Sequence, residues 1–373
     1  MSSKRGILVT GGCGFIGRKL CLRLRKMGLR VRILDNLAPQ VHGTSPDLSW
    51  ISDASVEFIQ GSVCQPEICH RAVHEMQVIV HLASETGTGQ SMYEIRRYMD
   101  VNVTGTATII EAAIQAGIEQ LVLTSSRAVY GEGTWGCVKC GPVHAPARRY
   151  SHATPDNWNP ICPKCGEHLS ELLPTAETES LEPTSIYGLS KLAQEQMARV
   201  VENSSSLRCS ILRLFNVYGP GQALNNPYTG VLGVFINRAR LGETLDLYED
   251  GNILRDFVHV EDVNDAVVRA LDKQQSVIAN IGSGTTVSIS ELAQAIITAC
   301  SSRSGTRITG KTRRGDVRGG LADIHIARQL LNWQPKINFE DGLKDYVAWA
   351  LEQTFEDRYE LSLEELRKAG IYA

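Results

Sequence analysis

Tyr187 and Lys191 place a phenol and an ammonium four residues apart, in a stretch, Tyr187-Gly-Leu-Ser-Lys191, that reads as the first turns of a helix. Residues at i and i+4 project from one helix face. A fixed positive charge beside a phenol stabilises the phenolate and draws its pKa down from about 10 toward working pH, which makes a general base of a tyrosine. A second reactive group is Cys137-Val-Lys-Cys140-Gly with Cys162-Pro-Lys-Cys165-Gly, two near-identical knuckles. Cys-x-x-Cys twice in one stretch suits tetrahedral thiolate coordination of zinc. The glycine after each knuckle permits the tight turn that aims backbone N–H groups at sulfur. Between the knuckles the chain is rich in Pro, Arg, His and Trp with little apolar periodicity, so metal binding would supply its folding energy. The leading reading is a structural zinc ribbon inserted over 134–176. A redox dithiol pair lacks the thioredoxin context, and four cysteines leave no open position for a catalytic zinc.

The elements that must position these groups begin at the N-terminus. Gly6-Ile-Leu-Val-Thr10 is a short apolar run, as expected of a buried parallel strand. It enters Gly11-Gly-Cys-Gly14-Phe15-Ile16-Gly17 and then a helical pattern over 18–27, and a second strand over 31–34 ends in Asp35-Asn36. Glycines at a strand-to-helix turn let the backbone approach a pyrophosphate, which sits on the helix N-terminus. Asp35 would accept hydrogen bonds from an adenosine ribose and repel a 2′-phosphate, favouring NAD over NADP. Further strands are expected over 56–60, 78–82 and 120–124, with one long helix over 95–116. Strands alternating with helices imply an α/β fold with a doubly wound parallel sheet, whose ligands bind beyond the carboxyl ends of the strands. Ser125, Ser126 and Tyr130 follow one such end and are expected to face the cleft.

Residues 1–213 are expected to form this dinucleotide-binding domain, and 214–373 a smaller mixed substrate region, the chain returning to the first domain around 255–283. Amphipathic helices are expected over 289–300 and 339–354, and a solvated helix in the charged tail from 356. The formal charge of −3 over 373 residues gives no reason to expect nucleic-acid binding. No apolar run reaches the length of a membrane span, and the start reads directly into a strand rather than as a signal peptide, so a cytoplasmic protein is expected. Of the ten cysteines, Cys13, Cys21, Cys64, Cys69, Cys209 and Cys300 are scattered, mostly among apolar neighbours. They read as small hydrophobes rather than a disulfide framework.

Several ordered motifs resemble the extended short-chain dehydrogenase/reductase family, the nucleotide-sugar epimerases and dehydratases, across nearly the whole chain. Thr10-Gly-Gly-Cys-Gly-Phe-Ile-Gly17 is similar to its cofactor loop, Asn102 in Val101-Asn-Val-Thr-Gly-Thr106 to its helix motif, and Ser126-Arg-Ala-Val-Tyr130-Gly131 to its catalytic-serine segment. Arg213-Leu-Phe-Asn216-Val-Tyr218-Gly-Pro220 resembles its substrate-diphosphate loop; Arg255-Asp-Phe-Val-His259 and Arg313-Arg-Gly-Asp316 resemble its C-terminal substrate motifs. The resemblance implies NAD held by Gly11, Gly14, Phe15, Ile16, Gly17, Asp35, Asn36, Ser62, Val63, Leu82, Ala83, Tyr187 and Lys191. It implies catalysis by Ser126, Tyr187 and Lys191, and a nucleotide sugar on Ser126, Asn216, Arg255, Arg313 and Asp316. Helices 95–116 and 184–203 would form the homodimer contact. Segments 39–43, 87–95 and 226–230, with the inserted cysteines, are similar to a branch of dTDP-L-rhamnose 4-epimerases.

Two departures bear on function. Gly61-Ser62 stands where the family carries an acid against adenine. Arg127 and Ala128 stand where dehydratases carry an Asp-Glu pair, and neither can give up a proton at working pH. That leaves epimerisation or reduction at a sugar carbon. A 4-ketoreductase would use the same residues, and a non-catalytic NAD sensor would have no need of an activated phenolate.

Overall fold

A computed structural model describes residues 5–52, 56–148, 157–228 and 230–372. The first four residues, 149–156 of the expected insert and Thr229 of the 226–230 motif lie outside the described residues.

Seven parallel strands form the central sheet: β1 (Gly6–Thr10), β2 (Arg30–Asp35), β3 (Val56–Gln60), β4 (Val78–His81), β5 (Gln120–Ser126), β6 (Arg208–Leu214) and β7 (Ile278–Ile281). Their spatial order is β7-β6-β5-β4-β1-β2-β3. The near-continuous apolar runs of β1, β4 and β5 follow from helices covering both faces. Ile7 and Val9 enter one core with Leu20, Leu24 and Val267, while Leu8 enters the opposite core with Ile79, Ile109 and Leu121. Chain order reverses between β1 and β4, which opens a crevice beyond their carboxyl ends.

Three helices point into that crevice or brace it: α1 (Phe15–Lys26), α2 (Gly105–Gln115) and α3 (Ile186–Ser204). Ser185 caps α3, accepting the Gly188 amide at 3.1 Å. The expected long helix over 95–116 is one continuous path with a wider π turn at Met99–Thr104 between Ile95–Tyr98 and α2. A π turn inserts an extra residue and re-aims its neighbours, which fits the placement of Asn102.

A third core joins helix Val231–Leu241 (Leu232, Phe235, Ile236) to helices Ile289–Ala299 and Phe339–Leu351. The inserted segment makes a small three-stranded sheet of Thr134–Cys137, Gly141–His144 and Glu171–Leu172. The tail differs from expectation. Helix Tyr359–Lys368 is not solvated: Tyr359, Leu363 and Leu366 sit at i, i+4 and i+7 and are buried. Among the described residues no helix is long and apolar enough to cross a membrane.

Candidate active site

One cavity of about 550 Å³ runs from the glycine loop to the tail helix. Gly11, at φ +67, turns the chain out of β1; a Cβ there would lie 2.8 Å from Ala83 N. A Cβ on Gly17 would lie 2.7 Å from Gly12 Cα, so only glycine lets α1 pack against the turn. Gly14 is the N-cap of α1 with no side-chain cap, which leaves the first amides of the helix facing the cavity beside Phe15 and Ile16. Uncapped helix N–H groups and the positive end of the helix dipole suit a pyrophosphate, so the cradle fits NAD.

Asp35 ends β2 at the same wall. Its carboxylate accepts the Cys13 amide at 2.9 Å and the Leu37 amide at 2.8 Å, and His42 Nε2 lies 3.4 Å away. It therefore fixes the glycine loop as well as facing the space for a ribose. Asn36, Ser62, Val63, Leu82 and Ala83 line the cavity too. At Ser62, where the family's acid is missing, Gln65 Oε1 accepts the Ser62 amide at 2.9 Å and holds this edge of the wall.

Ser126, Tyr187 and Lys191 line the same cavity, with the Ser126 side chain hydrogen-bonded to the Tyr187 phenol. Ser126 ends β5, and its Oγ accepts the Ala128 amide at 3.2 Å. Burial pushes the Tyr187 phenol up, and a hydrogen bond from Ser126 pulls it back down. Burial also pushes Lys191 down to about 7, opposed by the charge of Glu195. The sequence led us to expect the ammonium to depress the phenol. Among the chain's own groups desolvation is the largest effect on both, Lys191 being buried and Tyr187 half-buried in the cavity wall. The cationic nicotinamide ring is the further charge that would favour a phenolate here.

Asn102, fully buried in the π turn, supports this centre. Its Oδ1 accepts the Glu85 amide at 2.7 Å, and its Nδ2 donates to Glu85 O at 3.0 Å and to Ser190 Oγ at 2.9 Å. His81 bridges Thr10 at 2.8 Å and Thr106 at 3.0 Å, and burial, then the Lys191 charge, pushes it down to about 3.

At the far end, Asn216, Arg255, Arg313 and Asp316 line the same cavity. Asn216 Oδ1 is buried with no hydrogen-bond partner among the described residues, as expected of a group meant for a ligand. Arg255 donates to Leu254 O at 2.9 Å and Val317 O at 3.0 Å, and burial lowers its pKa. Arg313 pairs with Asp316 at 2.8 Å. Arg127 also lines the wall, its Nη2 donating to Gly131 O at 2.7 Å and Gly319 O at 3.0 Å.

One expectation of the site changes. Tyr130 does not face the cleft: its hydroxyl donates to Asn280 Oδ1 at 2.7 Å and accepts from Arg213 Nη1 at 2.8 Å beneath the sheet end. Arg213, from the motif resembling a diphosphate loop, is locked against Glu195 at 2.8 Å and is 2% exposed. The guanidinium is a strut between β6 and α3 rather than a ligand for substrate. Sequence reasoning missed Tyr359, Ser362 and Leu366 of the tail helix, which line the cavity. Their signal was the apolar spacing of Tyr359, Leu363 and Leu366.

The sulfurs of Cys137, Cys140, Cys162 and Cys165 all lie within 4.8 Å of one another, and Cys137 and Cys165 are 3.5 Å apart. A tetrahedron with Zn–S of about 2.3 Å has sulfurs about 3.8 Å apart, so the cluster fits that ion. Gly141 and Gly166 turn at φ +72 and +79. The Lys164 and Cys165 amides donate to the Cys162 sulfur, as the knuckle reading expects. All ten cysteines are free, with Cys13, Cys21, Cys69 and Cys209 buried.

Residues 7–154 and 163–282 match the NAD dependent epimerase/dehydratase family; the gap falls inside the inserted segment. The chain is 37% identical over 353 residues to the dTDP-L-rhamnose 4-epimerase of Burkholderia thailandensis, covering 93% of this chain and 95% of that one. The UDP-glucose 4-epimerase of Thermotoga maritima, solved with UDP-glucose, matches with a TM-score of 0.76 and 27% identity over 93% of this chain and 99% of that one. The UDP-glucose 4-epimerase of Thermus thermophilus, solved with NAD, matches at 0.73 and 26%, over 94% and 100%.

Proposed function

The chain belongs to the NAD-dependent epimerase/dehydratase family, and from that premise we propose that it inverts C4 of a nucleotide sugar, a dTDP-6-deoxy-hexose of the dTDP-L-rhamnose type. The observation that carries this reading is the meeting of Ser126, Tyr187 and Lys191 in one cavity with the glycine loop at one end and Asn216 and Arg255 at the other. The likeness to the Burkholderia enzyme supports the choice of sugar. Arg127 and Ala128 leave no acid–base pair for dehydration.

NAD, when bound, supplies the redox chemistry, a hydride taken from C4 and given back. Tyr187 Oη takes the proton of the sugar 4-hydroxyl and later returns one to the same oxygen. Ser126 Oγ, its lone pair engaged by the Ala128 amide, directs its own proton to the phenol or the sugar oxygen. Lys191, held in the same enclosed wall, favours the phenolate whenever it is charged. Arg255 suits the substrate diphosphate, because a planar guanidinium makes paired charge-assisted bonds. The sugar loses and regains one proton and one hydride, so no external oxidant is consumed.

Cys137, Cys140, Cys162 and Cys165 would hold a structural zinc ion, closed by four thiolates. Ile95, Ile114, Leu189 and Val200 are exposed on the helices expected at a dimer contact, which supports a homodimer. Incubation with dTDP-L-rhamnose and no added cofactor, followed by proton NMR, tests the main reading. A second sugar with inverted C4 that settles to a constant ratio is expected. Turnover of a 4-keto sugar with stoichiometric loss of added NADH would replace the epimerase with a reductase.

A further inference from the structure

None of the steps above uses the charged groups that join the cysteine segment to the far wall of the cavity. Glu132 is 1% exposed, and its carboxylate takes Arg148 Nε at 2.8 Å and the Arg318 amide at 2.7 Å. Arg148, from the inserted segment, also donates to Glu249 Oε1 at 2.8 Å and to Trp158 O at 3.1 Å. Glu249 Oε2 takes Arg318 Nη1 at 3.0 Å. Arg318 continues to Asp250 at 2.6 Å and to Asn159 Oδ1 at 3.0 Å. Glu132, Arg148, Glu249 and Arg318 thus form a closed, buried ring shared by the insert and the loops of the substrate side.

The ring reaches the cavity wall directly. Arg148 Nη2 donates to Asp316 O at 3.3 Å, within the loop that carries Arg313 and Asp316. Glu249 sits at φ +54, a backbone conformation that a non-glycine residue keeps only when its surroundings fix it. The apolar side tells the same story. Cys137 and Cys162 share a small core with Trp135, Leu169 and Leu172, packed on Leu254 and Leu321. Leu254 precedes Arg255, and Leu172 lies so close to Gly319 that a Cβ there would come within 2.7 Å of its Cδ2.

We propose that the ribbon is a metal-dependent buttress of the substrate side of the cavity, with Arg148 and Glu249 as positioning residues that hold the Arg313–Asp316 loop. The inference rests on the reading of the four cysteines as an ion site. The physical reason is an asymmetry of buried ion pairs. Intact, they add little net stability; with one partner gone, an uncompensated buried charge is strongly unfavourable. A ribbon without its ion has too small a core to stay folded. Arg148 would then withdraw, and Glu132 and Glu249 would be left to loosen the loop. Nothing in this chain of contacts touches the glycine loop, so NAD binding is spared.

The test uses the full chain expressed with zinc. Metal content is measured first, and one equivalent is expected. Hydrogen exchange by mass spectrometry and binding of dTDP and UDP are then compared for untreated protein, chelator-stripped protein, Arg148→Met and Arg148→Lys. Stripping should speed exchange in peptides covering 132–148, 249–250 and 313–322, leave 6–17 unchanged, and weaken nucleotide binding at least tenfold with NAD retained. Arg148→Met should keep its metal yet show the same loosened loop and a raised KM with kcat little changed. Arg148→Lys should recover part of the affinity. Protection of 313–322 unaltered in both the stripped protein and Arg148→Met would overturn the proposal. Absence of metal alone would overturn the ion site, while Arg148→Met would still decide the buttress.

Discussion

Asn102 Nδ2 donates to Ser190 Oγ at 2.9 Å, and Ser190 Oγ donates in turn to Tyr187 O at 2.8 Å. This two-bond path fastens the π turn before α2 to the first turn of α3, so the turn that carries the phenol is held by a residue outside the cavity lining. Asn102→Ala should leave the half-buried Glu85 amide without its acceptor, a loss of about 1 kcal/mol. Asn102→Asp keeps that acceptor but loses the donor to Ser190. It also loses the donor to Glu85 O and sets a buried carboxylate against that oxygen, so it should melt below wild type as well as turn over more slowly. Thermal melts and kcat measured side by side check this; equal kcat in Asn102→Asp and wild type would sink the positioning role.

Tyr187→Phe removes the phenol proposed as the base and should lower kcat about 10²–10⁴-fold, with NAD still bound. Ser126→Ala is the more discriminating change. The serine's bond favours the phenolate, so without it the phenol's pKa rises. The acid limb of the pH–rate profile should move to higher pH, and kcat at a fixed pH below it should fall. A profile that merely scales down, with its limb in place, would show that Ser126 acts on substrate alone.

His81 makes acid stability predictable. It is held neutral by burial and by Lys191, so its pKa in the fold is about 3 against 6.5 when unfolded. Between those values the unfolded chain binds the extra proton. Stability from this group therefore falls as pH drops from 6.5 toward 3, by up to about 1.36 kcal/mol per pH unit. Lys191, lowered by burial from 10.5 to about 7, has the same sign, with stability rising as pH climbs through that window. Urea midpoints at pH 7 and 4.5 for wild type and His81→Gln check the acid limb. The variant should lose distinctly less on acidification.

Much of this was legible before any coordinates. The apolar run into Gly11 and Asp35 after β2 announced the sheet and the cradle, because a parallel strand buried on both faces and a glycine turn each demand particular residue types. The paired knuckles announced a four-sulfur cluster for the same reason. What stayed hidden depended on three-dimensional neighbours. Arg213 has the residue type of a phosphate ligand, and only the approach of Glu195 from α3 turns it into a strut. Tyr130 sits one helical turn from Ser126, yet the short 3₁₀ turn Arg127–Tyr130 swings it beneath the sheet end. The ring of Glu132, Arg148, Glu249 and Arg318 joins positions far apart in the chain, and no local pattern marks it.

The tail was misjudged because its charges alternate with its apolar residues, although the spacing of those residues was informative. Glu365 accepts the Tyr93 hydroxyl at 3.2 Å and also takes the Tyr228 hydroxyl, drawing together one loop from each side of the cavity. The Tyr93 and Tyr228 hydroxyl oxygens lie 2.9 Å apart, so the three groups form one cluster. Tyr359, Ser362 and Leu366 then line the end of the cavity away from the glycine loop. Deletion of residues 354–373 should raise KM for the nucleotide sugar at least tenfold while bound NAD is unchanged, since the contacts of the described tail residues lie away from the glycine loop. Glu365→Gln is the milder variant. It keeps the buried Leu363 and Leu366 but replaces a charged acceptor with a neutral one, whose hydrogen bonds are roughly half as strong. A smaller rise in KM with kcat preserved is expected. If the deletion lowers kcat and leaves KM as in wild type, the tail acts on chemistry rather than on holding the sugar.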